Sequence, residues 1–192
     1  MSTKRISGLI TLVCIQFISV FAQNFETFAP VQSTFQNEDL LLPKGFSYTV
    51  LFSEGDTVVD IFGKRGPAKG GHDLCIYIPL NDSSNHGYLY VGHETRTSDD
   101  FLGDGGGGTL VEVIKNGKSW SVVGTPKAVD FKSLGGSMHN CGGSITPDGK
   151  VLTCEESYPR SNADIFFGGR GIRDTSNFKG KPKYQNYGWV VL

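Results

Sequence analysis

This sequence predicts an all-β fold, and three observations carry the prediction. No window holds a sustained 3.6-residue apolar stripe, so little helix is expected. Short runs rich in β-branched and aromatic residues recur at intervals of roughly 8–12 residues, with turn signals between them. Glycine accounts for 26 of 192 residues, while 38% of the chain is apolar and 11% aromatic. That mixture is too apolar for a disordered chain and too aperiodic for collagen. It fits a globular protein with many tight turns, and a sandwich, a barrel and a propeller all satisfy the pattern.

The first 22 residues read as a signal peptide rather than as part of the fold. Lys4 and Arg5 precede an apolar run that opens at Leu9 and continues to Phe21, and Val20 and Ala22 occupy the −3 and −1 positions of a cleavage site. The run is shorter than the ~20 residues a membrane span needs, and Gln16 and Ser19 interrupt it. The expectation is a secreted or periplasmic protein with no stable membrane span after cleavage. Residues 23–39 read as an extended polar lead-in, and residues 40–192 as the β domain.

Within that domain the runs follow in order. Residues 46–52 come after Pro43-Lys44-Gly45, residues 74–78 stop at Pro79, and residues 87–92 follow a polar loop. Residues 109–114 and 119–123 flank Asn116-Gly117, a dipeptide suited to a type I′ hairpin. Residues 144–146 and 150–153 flank Pro147-Asp148-Gly149, and residues 187–192 form a last apolar strand. Residues 160–185 read as a long polar, glycine-rich loop of the kind that is usually functional.

Charge and motifs exclude several functions. A formal net charge of −1 leaves no basic patch for nucleic acid. Gly117-Lys118-Ser119 is not a phosphate loop, because Glu112 stands where the motif needs glycine. Gly135-Gly136-Ser137-Met138-His139 lacks the closing glycine of a nucleophile elbow. Asp99, Asp100 and Asp104 among glycines have the composition of a calcium loop without EF-hand spacing, and equally that of a solvated turn. Export would remove Cys14 and leave Cys75, Cys141 and Cys154, an odd number without the spacing of a structural zinc site.

The strongest constellation runs from Asn140 to Glu156. Folded as a hairpin with a three-residue loop, it pairs Thr146 with Lys150 and, in the same register, Cys141 with Glu155; a two-residue loop moves the partner to Glu156. A bulge near Gly142-Gly143 would change that register. A thiol and adjacent carboxylates suit a transition metal, and carboxylates alone suit calcium or magnesium. A Cys141–Cys154 disulfide, which needs a four-residue loop, and inert core thiols remain open alternatives. His93-Glu94, at the end of the run 87–92, is a second source of ligands, although a lone histidine is more often simply hydrogen-bonded.

The run Asn140-Cys141-Gly142-Gly143, followed by Thr146-Pro147, Gly149 and Leu152-Thr153 and closed by Glu155-Glu156, resembles the signature of the PhoX-type alkaline phosphatases and their relatives. Leu42-Pro43-Lys44-Gly45-Phe46, the segment 87–94 and Tyr187-Gly188-Trp189 fit in the same order, so the resemblance spans about residues 40–192. It implies a six-bladed β-propeller that hydrolyses small phosphorylated substrates, phosphate monoesters, with an iron–calcium cluster. It also implies that Cys141 binds iron, that Glu155 or Glu156 is a metal ligand, and that Glu94 is the next candidate. His93 and Asn140 would stand beside these as supporting neighbours. Asp148 departs from the aromatic residue that many members carry there. A full propeller needs far more chain, so the expectation is an N-terminal part of about two blades, inactive alone. The alternative from another class is a non-catalytic secreted β-propeller binding module.

Overall fold

The computed structural model describes residues 31, 40–156, 159–167 and 184–192. The chain divides into two compact units, Met1–Tyr48 and Thr49–Leu192. Of the first unit, Val31 and residues 40–48 are described; a turn there is closed by Phe46 N–H donating to the Pro43 carbonyl at 3.1 Å. The signal peptide over 1–22 lies outside the described residues, as does the lead-in over 23–39 apart from Val31. Among the described residues no helix is long and apolar enough to cross a membrane.

Among the described residues of the second unit, the regular elements are almost all strands. In order they are β1 (Thr57–Val59), β2 (Arg65–Pro67), β3 (His72–Pro79), β4 (His86–His93), β5 (Thr97–Asp99), β6 (Gly103–Gly105), β7 (Gly108–Asn116), β8 (Ser119–Val122), β9 (Lys127–Ala128), β10 (Asn140–Ile145), β11 (Val151–Glu155) and β12 (Val190–Val191). Among the described residues one short α-helix, α1 (Asn162–Phe167), lies between β11 and β12. The largest sheet has the order β2-β1-β9-β7-β4-β3, with β8 also pairing with β7. β10, β11 and β12 form a second sheet, and β5 and β6 a two-stranded ribbon.

β3, β4, β7 and β8 are each antiparallel to the next, a four-stranded meander in chain order. The described residues do not close into a ring, so the all-β class stands without a closed propeller.

Alternation places the core. Along β7, Thr109, Val111 and Val113 are buried, while Leu110, Glu112 and Ile114 on the opposite face are half-buried. Val111 and Val113 meet Val91 of β4, with Leu51, Phe52, Tyr77, Leu89, Trp120 and Val122 packed around them. A second cluster joins Val58, Ala68, Phe101, Leu102 and Ala128. Full burial of side chains of this size contributes about 1.5–3 kcal/mol each.

Several local expectations are corrected. Residues 46–52 form no strand: the run has β-forming composition, but no neighbouring strand pairs with it. The β7–β8 turn is centred on Gly117-Lys118, since Asn116 pairs with Ser119. Gly117 has φ 63°, and Lys118 is not among the positive-φ residues, so the turn is of II′ rather than I′ character. Within 160–185, α1 and a 3-10 turn at Tyr184–Asn186 replace part of the expected loop, and residues 168–183 lie outside the described residues. Of residues 187–192, only Val190 and Val191 form a strand, paired with β11. The Asp99 turn is structural: its carboxylate accepts from the Phe101 and Leu102 amides and pairs with Lys69 Nζ at 2.8 Å.

Candidate metal centre

The β10–β11 hairpin supplies half of the centre. Thr146 N–H donates to the Lys150 carbonyl at 2.9 Å, which gives the three-residue loop expected from Pro147-Asp148-Gly149. Gly142 to Ile145 then pair with Cys154 to Val151 in the expected register. Between Asn140 and Gly142 the register shifts, so Glu155 faces Asn140 and Cys141 is the extra residue of a bulge. The expected pairing of Cys141 with Glu155 therefore does not form. A bulge re-aims side chains, and here it sends the Cys141 thiol toward the acidic groups of another strand end.

Glu155 and Glu156 part company because consecutive residues of an extended strand point to opposite faces. The Glu155 carboxylate is enclosed by protein amides: it accepts from Met138 N–H at 2.8 Å, Gly188 N–H at 2.6 Å and Trp189 N–H at 3.2 Å. Burial raises its pKa above the usual carboxylate range, and the three amides pull in the opposite direction. Glu155 thus ties β11 to the segment before β10 and to the approach to β12. Glu156 faces the other way, beside His139.

β4 supplies the other half. His93, with none of its surface exposed, lies close to the Thr109 hydroxyl at 3.0 Å, and Glu94 follows on the opposite side. Glu94 N–H donates to the Gly71 carbonyl at 2.6 Å. Gly71 has φ 62°, and a Cβ there would stand 2.7 Å from the Glu94 carbonyl, so glycine at this position sets where Glu94 sits. Burial, led by desolvation and followed by the charge of His72, lowers the His93 pKa to about 4. Asn140 is also fully buried: its Oδ1 accepts from Gly107 N–H at 2.8 Å and its amide donates to Thr153 at 3.3 Å. Both residues brace the scaffold from inside.

These elements bring Glu94, His139 and Glu156 together, with ligand atoms all within 4.8 Å of one another. Desolvation, then hydrogen bonding and repulsion from Glu156 and Asp73, raise the Glu94 pKa. Desolvation, then Glu156, Glu94 and Asp73, likewise raise that of the Cys141 thiol. Three carboxylates, a thiol and an imidazole thus converge where like charge opposes ionisation, and a cation would relieve it. Arg96 Nε donates to His139 Nε2 at 2.7 Å, while His139 Nδ1 lies 3.7 Å from Glu156 Oε2. His139 itself adopts φ 52°, a left-handed conformation uncommon outside glycine.

Of the residues singled out in the sequence, Cys141, Glu94 and Glu156 share this site, while Glu155, His93 and Asn140 serve its frame. His139, Asp73 and Arg96 were missed. His139 immediately precedes the cysteine motif, two residues before Cys141, and that proximity was the available signal. Arg96 follows Glu94 by two residues, the same kind of signal, whereas Asp73 carries none, because only the fold brings β3 to the hairpin. All three described cysteines are free thiols, so the Cys141–Cys154 disulfide does not form.

The fold and site define an all-β protein with a mixed carboxylate, imidazole and thiol centre. The family model described as "Alkaline phosphatase PhoX" matches residues 108–191, and over that segment the resemblance to the PhoX-type family holds. The matched segment carries His139, Cys141 and Glu156; Glu94 and Asp73 precede it. Comparisons with curated proteins and with solved structures return no match.

Proposed function

We propose that this chain carries the metal centre of an exported, PhoX-like phosphatase acting on phosphate monoesters. The observation that carries this reading is the convergence of Glu94, His139 and Glu156 beside Cys141. The donor set fits the iron and calcium of the family. Carboxylate oxygens of Glu94, Glu156 and Asp73 are hard donors suited to calcium, and the Cys141 thiolate suits iron. When bound, such cations polarise a phosphoryl group and offset charge on its oxygens.

The chain's own residues do the remaining work. Arg96, positioned by its hydrogen bond to His139, supplies a guanidinium whose other N–H groups match two phosphoryl oxygens. His139 holds its neutral ring with the proton on Nδ1, because Nε2 accepts from Arg96. In the hydrolysis a water oxygen bonds to phosphorus, the ester P–O bond breaks, and the departing alcohol takes a proton.

Metal analysis of the purified chain, with and without Cys141→Ala, tests the centre. Iron in the parent protein and its loss in the variant are expected. Equal iron content in both proteins would overturn the assignment. A variant changed in stability alone would favour the binding-module reading.

A further inference from the structure

A cleft of about 570 Å³ opens beside the metal centre and shares Glu94 with it. Its volume falls in the usual range for small-molecule sites, roughly 300–1,000 Å³. We propose that this cleft receives the alcohol portion of the ester and favours alcohols carrying a positive charge, such as amino alcohols. The inference rests on the phosphatase reading above for the placement of the phosphoryl group.

The lining carries the argument. Pro67, Ala68 and the ring of Phe101 give an apolar wall for a short aliphatic body. The single cation among the described lining residues is already committed: Lys69 Nζ pairs with Asp99 at 2.8 Å, donates to the carbonyls of Gly103 and Gly106, and leaves only 9% of its side chain exposed. With Lys69 and Asp99 neutralising each other and Glu94 turned to the metal centre, Glu54 is the net charge facing the cleft. The Glu54 carboxylate lies over Gly70, where a Cβ would run into it, so a bare glycine backbone gives it room. Glu54 is exposed and makes no hydrogen bond or ion pair to another described residue, which leaves it available to a ligand cation.

The test compares phosphocholine with glycerol 3-phosphate, two esters alike at the phosphate and different in the charge of the alcohol. Calorimetric titration of the full chain in calcium should show phosphocholine binding about fivefold tighter, the scale of one partly exposed ion pair. Glu54→Gln should remove that advantage and leave glycerol 3-phosphate within about twofold, and Glu54→Lys should reverse the order. An equal preference in parent and Glu54→Gln, or binding of neither ester, overturns the cleft. Failure of the phosphatase reading is read separately, from calcium titration. Bound calcium with no charge preference removes the cleft and spares the centre. A Glu54-dependent preference without calcium binding does the opposite.

Discussion

Arg96 Nε stands 2.7 Å from His139 Nε2 and donates to it. The contact keeps a guanidinium at the rim of a cluster otherwise made of acids, and it places the imidazole proton on the side of Glu156. A cation held by the Glu94 and Glu156 carboxylates would face the Arg96 charge across this ring, so Arg96 and the cation compete for the acids. Arg96→Ala should therefore raise calcium affinity by about threefold to fivefold, the worth of one removed like charge near the surface. It should also lower phosphate affinity by about tenfold or more, the worth of a charge-assisted hydrogen bond. Titration with calcium and with inorganic phosphate reads both; a fall in both affinities together would refute the competition.

Glu94 predicts opposite signs with and without a cation. Its carboxyl is raised by desolvation and by Glu156 and Asp73, so Glu94→Gln relieves repulsion in the metal-free protein. Thermal melts in chelator should show the variant equal or slightly more stable, by less than about 1 kcal/mol. Calcium at about 100 times Kd should stabilise the parent by about 2.7 kcal/mol and the variant far less. Equal calcium shifts in the two proteins would remove Glu94 from the centre.

Glu155 should behave as a structural anchor. Glu155→Ala strands the amides of Met138, Gly188 and Trp189, and the expected loss is about 1–3 kcal/mol in urea unfolding. Calcium affinity, measured where the variant is folded, should change less than for Glu156→Gln. The reverse ranking would make Glu155 the ligand.

His93 sets part of the acid limit of stability. Its folded pKa is lowered to about 4, chiefly by desolvation, from an ordinary value near 6.5. The stability it preserves is therefore complete above pH ~6.5, where both states are neutral. It is lost as pH falls toward ~4, because the unfolded state takes the proton first. The loss is on the order of 3 kcal/mol at the low end. Urea unfolding between pH 7 and 4.5 should show a steeper decline for the parent than for His93→Gln. Parallel profiles would mean that folding does not lower the His93 pKa.

The sequence alone determined the all-β class, because alternation in runs such as 109–114 and turn chemistry such as Pro147-Asp148-Gly149 are local properties. It also marked Cys141, Glu94 and Glu156, since an acid pair beside a thiol motif and a strand-ending His-Glu pair are visible without a fold. Tertiary structure decided the rest. Residues 46–52 are strand-like in composition, but without a neighbour to pair with they stay irregular. The bulge at Cys141 broke the pairing that ideal register implies, and strand alternation sent Glu155 inward to bind amides while Glu156 joined the cluster. His139, Asp73 and Arg96 entered the site because β3, β4 and β10 meet there. Periodicity is written in neighbouring residues, whereas a cluster of like charges drawn from distant ones exists only once packing has brought them together.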